Sequence, residues 1–195
     1  MSDIKILALS GSSRAGSYNT TLLHTAARIV PKGVDLDIYS GLEKLPFYSD
    51  ELDGELLHPE AGRLRAAVAA ADGVLLAVPE YNYSLTALLK NALDWASRPA
   101  GRHVFLGKPT AIIGASSSIL GTVRAQLHTR DVLHALQADV VPRPEVLVTQ
   151  AAHKIANGQL SDETARALLA EVLENLVRKI EHKRILAKVA QDRAS

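Results

Sequence analysis

Short apolar runs alternate with amphipathic stretches along the whole chain, and this alternation limits the fold more than any single residue does. Ile4 to Leu9 reads as a short buried strand. Thr21 to Val30 follows as a helix, with Leu22, Leu23, Ala26, Ala27 and Val30 on its apolar side and Pro31-Lys32-Gly33 as its stop. Val34 to Tyr39 alternates as an edge-like strand, Leu45 to His58 is a loop, and Pro59 to Ala71 is helical. Gly73 to Val78 gives a third strand, Leu85 to Ser97 a helix, and Thr110 to Gly114 a fourth strand. Leu120 to Ala138 is a helix, Val140 to Val148 contains the fifth strand, and a long closing helix runs from Ser161 to about Ala187. Strands that alternate with helices imply an α/β fold, an open parallel sheet covered on both faces. No internal repeat or low-complexity segment interrupts it, and Ala151 to Gln159 reads as a connector.

The 195 residues, 47% of them apolar, suffice for one substantial core, so residues 1–195 are expected to form one domain with a C-terminal helix from about 161. The absence of cysteine removes disulfides, thiolate nucleophiles and cysteine-ligated zinc, which fits a reducing, cytoplasmic setting. Lys and Arg total 22 against 21 Asp and Glu, which leaves no basic field to recruit nucleic acid. Met1-Ser2-Asp3 lacks the basic and apolar regions of a signal peptide, and no spanning segment is expected, so no membrane partner is either.

In open parallel sheets, ligands bind at the carboxyl ends of the strands. Three loops leave such ends: Ser10 to Asn19, Pro79 to Ser84 and Ala115 to Gly121. The first, GSSRAGSYN, joins a turn-forming Gly11 to the short donors Ser12, Ser17 and Asn19, the Arg14 guanidinium and the positive end of the next helix. Such a set suits a phosphate dianion. It equally describes a polar turn with a Ser or Asn cap. Neither G-x-G-x-x-G nor G-x-x-x-x-G-K-[ST] is present. The second loop, PEYNYS, offers the flat faces of Tyr81 and Tyr83 beside Asn82, after a stiff Pro79, and flat aromatic ligands need such surfaces. Tyrosines at a turn also pack on the next helix, where Leu88, Ala92 and Trp95 share a face suited to core or subunit contact. The third loop, GASSSILG, places Ser116 where it can bond a ring edge.

Other chemistries find less support. Ser116 lies between a strand and a helix, as a hydrolase nucleophile does, but Ser118 replaces the second glycine of G-x-S-x-G. His128 and His134, six residues apart, point to different helix faces and make no metal signature. An electron carrier or redox sensor tends to be acidic for docking, whereas this chain is nearly neutral.

GSSRAGSYN, PEYNYS followed by LLKNALDWASRP, and GASSSILGTVRAQ, in that order over about residues 4 to 148, resemble the NADPH-dependent FMN reductase family, a flavodoxin-like group that includes quinone, azo-dye and chromate reductases. The resemblance implies a five-stranded parallel sheet of order 2-1-3-4-5 with helices on both faces. It also implies bound FMN, NADPH or NADH as co-substrate, and hydride transfer through the flavin to small electron acceptors such as quinones, azo compounds or free flavin. Ser12, Arg14, Ser17 and Asn19 would hold the FMN phosphate, and Tyr18 and Pro79 belong to the same cofactor-binding set. Glu80, Tyr81, Asn82 and Tyr83 would border the isoalloxazine ring, and Ser116 would meet its pyrimidine end. Arg14 has a second candidate role, toward the extra phosphate of the nicotinamide nucleotide. No side chain is assigned a catalytic step and no metal is expected. The family also implies a homodimer or homotetramer, with Arg124 and Glu145 as candidates for ion pairs between chains. Two departures stand out: Leu85-Thr86-Ala87 replaces a common Pro-Gly, and Ser118 replaces a frequent glycine.

Overall fold

The computed structural model describes residues 4–54 and 57–194; Met1-Ser2-Asp3 and two residues of the expected 45–58 loop, Glu55 and Leu56, lie outside them. The first half of the chain comprises β1 (Ile4–Ser10), α1 (Tyr18–Ile29), β2 (Val34–Ile38), α2 (Pro59–Ala70), β3 (Gly73–Ala77), β4 (Glu80–Tyr81), β5 (Ser84–Leu85) and α3 (Ala87–Ala96). The second half comprises β6 (Pro109–Ala115), α4 (Val123–Ala135), β7 (Asp139–Val140), β8 (Val146–Val148), α5 (Ala151–Lys154), β9 (Ile155–Ala156), β10 (Gln159–Leu160) and α6 (Glu163–Ala194).

The central sheet has the order β2-β1-β3-β6-β7, with β8 also on β6, and every pairing in it is parallel. This is the flavodoxin-like arrangement, with one correction. The fifth strand is two short ones, so the sheet has six strands. Pro142 and Pro144 lie between them and carry no N–H for the ladder. The two-stranded pairs β4–β5 and β9–β10 were also not anticipated; β9–β10 occupies the stretch expected as a connector.

Alternation along the buried strands divides the core into two layers. Ile4, Ile6 and Ala8 of β1 pack with Leu22, Leu23 and Ala26 of α1 and with Leu169, Leu173, Leu176 and Ile180 of α6. Leu7 and Leu9 face the other way, among Leu64 and Val68 of α2, Leu89, Leu93 and Trp95 of α3, and Leu133 of α4. Trp95 is fully buried. Its indole N–H donates to the Pro46 carbonyl at 2.8 Å, and its ring meets Tyr48 edge-on at 5.1 Å. Ala92 is also buried, so these two residues fill the core of one chain, whereas Leu88 on the same face is half-buried.

Candidate active site

The loops after β1, β3 and β6 meet above the carboxyl edge of the sheet and enclose a cavity of about 390 Å³. Ser12, Arg14, Ser17, Tyr18 and Asn19 line it from the first loop and the start of α1. Pro79, Glu80 and Tyr81 line it from the second, and Ala115, Ser116 and Ser117 from the third. Nine of the eleven residues expected from the sequence therefore converge. Asn82 and Tyr83 stand outside the lining, at the tip of the β4–β5 hairpin. Ala115 and Ser117 were missed, although both flank Ser116.

The first loop starts α1 in the manner its sequence suggests. Ser17 is the N-cap, and its hydroxyl accepts from the Thr20 N–H at 3.3 Å. Gly11 continues the pairing of β1 with β3, its N–H donating to Ala77 at 2.9 Å. A Cβ at Gly11 would fall 2.7 Å from the Pro79 ring and 3.2 Å from the Thr86 hydroxyl. Only glycine lets the first and second loops approach this closely. Arg14 is exposed, lies 5.5 Å from the centre of the Tyr18 ring, and makes only a long 3.5 Å bond to the Ala15 carbonyl through its guanidinium.

Three side chains stitch the three loops together in pairs. Asn19, 4% exposed, donates to the Ala115 carbonyl at 2.9 Å and accepts from the Ala115 N–H at 3.0 Å, joining the first loop to the third. Thr86 donates to the Gly11 carbonyl at 2.6 Å and caps α3 by accepting from the Leu89 N–H, joining the second loop to the first. Glu80 accepts from the N–H groups of Arg124 and Ala125 at 3.0 and 3.3 Å, so it caps α4 from across the site and joins the second loop to the third. Its carboxylate also pairs with the Arg124 guanidinium at 3.4 Å.

These contacts give two of the expected residues a structural role. The Asn19 side-chain oxygen and one of its two amide protons are committed to Ala115, so it positions the third loop, and its second N–H remains for the cavity it lines. The Glu80 carboxylate likewise serves α4, where the negative charge suits the helix N-terminus. Thr86, one of the departures from the family pattern, becomes a structural tie. Ser118, the other, orders its own loop: its hydroxyl accepts from the Leu120 N–H at 3.2 Å and meets the Ser116 hydroxyl at 3.2 Å. Arg124 and Glu145, considered for contacts between chains, bond within this one, Arg124 to Glu80 and Glu145 to Arg143 at 3.0 Å.

The β4–β5 hairpin carries backbone strain. Asn82 and Tyr83, its two loop residues, both have positive φ, 48° and 71°. Two-residue hairpin turns prefer this geometry but place Asn-Gly in it, and a tyrosine there costs of order 1 kcal/mol. The Tyr83 ring lies 3.9 Å from the Arg124 guanidinium carbon, a cation–π contact that offsets part of that cost. Tyr81, beside the turn and 56% exposed, lines the cavity.

The cavity fits FMN. The amino end of a twelve-residue helix, the Ser12 and Ser17 hydroxyls and an under-committed arginine form a cradle for a phosphate dianion. The adjoining tyrosine face and the Ser116 edge suit a flat heteroaromatic ring. A hydrolase reading fails on geometry: among the described residues, the one serine–histidine hydrogen bond joins Ser84 to His128 at 3.0 Å, and neither residue lines the cavity with Ser116.

Comparison with known proteins agrees with this chemistry. The profile of the family described as NADPH-dependent FMN reductase matches residues 4–153. An NAD(P)H-dependent FMN reductase of Pseudomonas aeruginosa is 42% identical over 175 residues, 89% of this chain and 94% of that one. A 2-hydroxy-1,4-benzoquinone reductase of a Burkholderia species is 38% identical over 184 residues, covering 93% and 99% of the two chains. The structure of FerB, a flavoenzyme NAD(P)H:acceptor oxidoreductase of Paracoccus denitrificans, superposes with a TM-score of 0.83 at 29% identity, over 92% of this chain and 98% of that one. The alternation of strands and helices, the three stitched loops and the phosphate cradle thus have one common explanation: the chain belongs to the NADPH-dependent FMN reductase family.

Proposed function

We propose that the chain is an FMN-dependent NAD(P)H oxidoreductase acting on quinone-type acceptors, with the cofactor held in the cavity above the carboxyl edge of the sheet. The observation that carries this reading is the convergence of a helix N-terminus, hydroxyls and Arg14 on one side of the cavity with the exposed Tyr81 face on the other. When bound, FMN supplies two-electron chemistry, accepting a hydride from a reduced nicotinamide and passing it to an acceptor. The residues of the chain bind and orient. Ser12, Ser17 and the amino end of α1 hold the phosphate, with Arg14 as counter-charge. Tyr81 and Ser116 fix the plane and edge of the ring. The Thr86, Asn19 and Glu80 ties keep the three loops in register, so the reacting face is presented without prior loop movement.

The test is spectroscopic. The purified protein should take up FMN and turn yellow, and anaerobic NADPH should bleach it, with reoxidation by benzoquinones, azo dyes and free flavin following at different specificity constants. A colourless protein that takes up no FMN overturns the reading. Arg14→Ala should weaken FMN binding by about one to two powers of ten, since a charge-assisted contact is worth roughly 1.5–3 kcal/mol. Riboflavin, without a phosphate, should bind both proteins equally, and an equal loss for both ligands would remove Arg14 from phosphate recognition.

The same reading extends to assembly as a homodimer or homotetramer. Phe47, Ile119 and Tyr83 are 81%, 75% and 65% exposed, apolar surface that a second copy would cover. Phe47 is held outward by a pinned loop: Asn91 brackets Pro46 and Tyr48, both at 2.9 Å, and Arg65 pairs with Asp53 at 2.8 Å. Light scattering should give a multiple of the 20.9 kDa chain mass, and a monomer at micromolar concentration with full turnover counts against association. Among the described residues no helix is long and apolar enough to cross a membrane.

A further inference from the structure

A second cavity, of about 250 Å³, lies at the opposite end of the sheet, between the starts of β3 and β6 and the α6 helix. Ala71, Ile180 and Ala187 form its apolar wall, and Asp72, Lys108, Lys183 and Arg184 supply its charge. The charges do not balance. The Asp72 carboxylate is engaged by Arg184 at 2.8 Å and by the Lys5 N–H at 2.8 Å. Lys108, only 8% exposed, donates to the Ala71 carbonyl at 2.5 Å and, among the described residues, has no carboxylate within ion-pair distance. Lys183 donates to the Gly107 carbonyl at 2.8 Å. Two ammonium groups, Lys108 buried and Lys183 exposed, thus border one cavity, and among the described residues their hydrogen-bonding partners are backbone carbonyls.

An ammonium ion removed from water without a counter-charge costs several kcal/mol after relaxation. The Ala71 carbonyl, at the C-cap of α2, offsets part of this through the helix dipole. It cannot accept every Lys108 proton. We propose that this cavity is an anion site for a small phosphate-class dianion, either inorganic phosphate or the phosphate of a monoester, held by Lys108 and Lys183. Arg184 keeps the Asp72 carboxylate paired so that it does not repel the ligand. The cavity is larger than a phosphate group needs, and its Ile180 and Ala187 wall accommodates an organic remainder. A bound dianion would bridge β6 to α6 and lock the long helix against the base of the sheet. Nothing in this argument depends on the flavin reading, because the two cavities are at opposite ends of the strands.

Burial, followed by the charge of Lys183, brings the Lys108 ammonium down to about 8, with Asp72 acting in the opposite direction. Asp72, Lys183 and Arg184 are the charged groups that share the cavity with it, and an added dianion should draw a proton onto Lys108 near pH 8. The experiment is calorimetric titration of the FMN-loaded protein, whose cofactor already fills the phosphate cradle of the first cavity. Inorganic phosphate, glycerol phosphate and sulfate serve as probes at constant ionic strength. One saturable site per chain is expected, with proton uptake at pH 8 and affinity at least about tenfold weaker in Lys108→Met and Lys183→Met. Tighter binding of glycerol phosphate than of phosphate identifies a monoester as the occupant, and the reverse identifies the inorganic ion. Non-saturating heats, or equal affinity in wild type and Lys108→Met, overturn the site. If that variant does not fold, sulfate, which stays doubly charged, gives the answer on the wild type. Its affinity must fall between pH 7 and pH 9, and pH-independent binding overturns the proposal.

Discussion

Asn19→Leu should cost the fold about 3 kcal/mol or more, although the substitution adds apolar volume to a buried position. The Asn19 amide closes both backbone groups of Ala115, donating at 2.9 Å and accepting at 3.0 Å. Leucine leaves that N–H and that carbonyl without partners in a buried setting, and each stranded polar group costs roughly 1–3 kcal/mol. The midpoint of urea unfolding should fall while the slope stays constant, because the surface exposed on unfolding is unchanged. FMN and riboflavin should both bind more weakly, since the Ala115–Ser116 segment beside the ring moves. This separates Asn19 from Arg14, whose loss should spare riboflavin. An unchanged unfolding midpoint would mean that the bracket contributes nothing.

The contrast between these two residues shows what could be read from the sequence. The strand–loop–helix at the start of the chain was legible because its signals are local: an apolar run, then Gly11, then Ser17 three residues before the N–H it caps. The parallel sheet followed from the βαβ rhythm, and the order of its strands from the resemblance of the three loops to a known family. The ties between loops could not be read in this way. Glu80 caps a helix 44 residues further on, and Asn19 meets Ala115 across 96 positions. A polar residue in a polar loop looks the same whether it faces a ligand or another strand's backbone. The fifth strand was misjudged for the opposite reason, as its apolar pattern hid the effect of Pro142 and Pro144 on hydrogen bonding. Trp95 was ambiguous because an apolar helix face cannot say whether its own chain or another covers it. Here Pro46 and Tyr48, from a loop with no periodic signal, provide the cover.

Lys108→Met should make the protein more stable at neutral pH in phosphate-free chloride buffer and remove a pH dependence that wild type shows above pH 8. The Lys108 ammonium is brought from 10.5 in the unfolded chain to about 8 in the folded one. Between these values the unfolded chain holds a proton that the folded chain has released, so the stability of wild type rises with pH across this window. Each pH unit is worth about 1.4 kcal/mol, which bounds the rise near 3 kcal/mol, and water at the cavity mouth brings it to about 2. Below pH 8 both states are protonated and the full penalty of the buried charge applies. Methionine, of similar length, escapes that penalty but leaves the Ala71 carbonyl without its donor, at a cost of roughly 1 kcal/mol. The net gain at pH 7 is then about 1 kcal/mol, reversing sign to a net loss of similar size near pH 10.5, where wild-type Lys108 folds neutral. The Tyr39 and Tyr48 phenols, both held above their ordinary value, the first by burial and the second by its bond to Asp50, are common to both proteins and cancel in the difference. Chemical denaturation of the two proteins at pH 7, 9 and 10.5 gives the comparison. Parallel stability curves across that range would show that Lys108 is not held as a destabilising cation. A saturating dianion should restore wild type toward the variant at pH 7, which ties the stability cost of the buried charge to the ligand that relieves it.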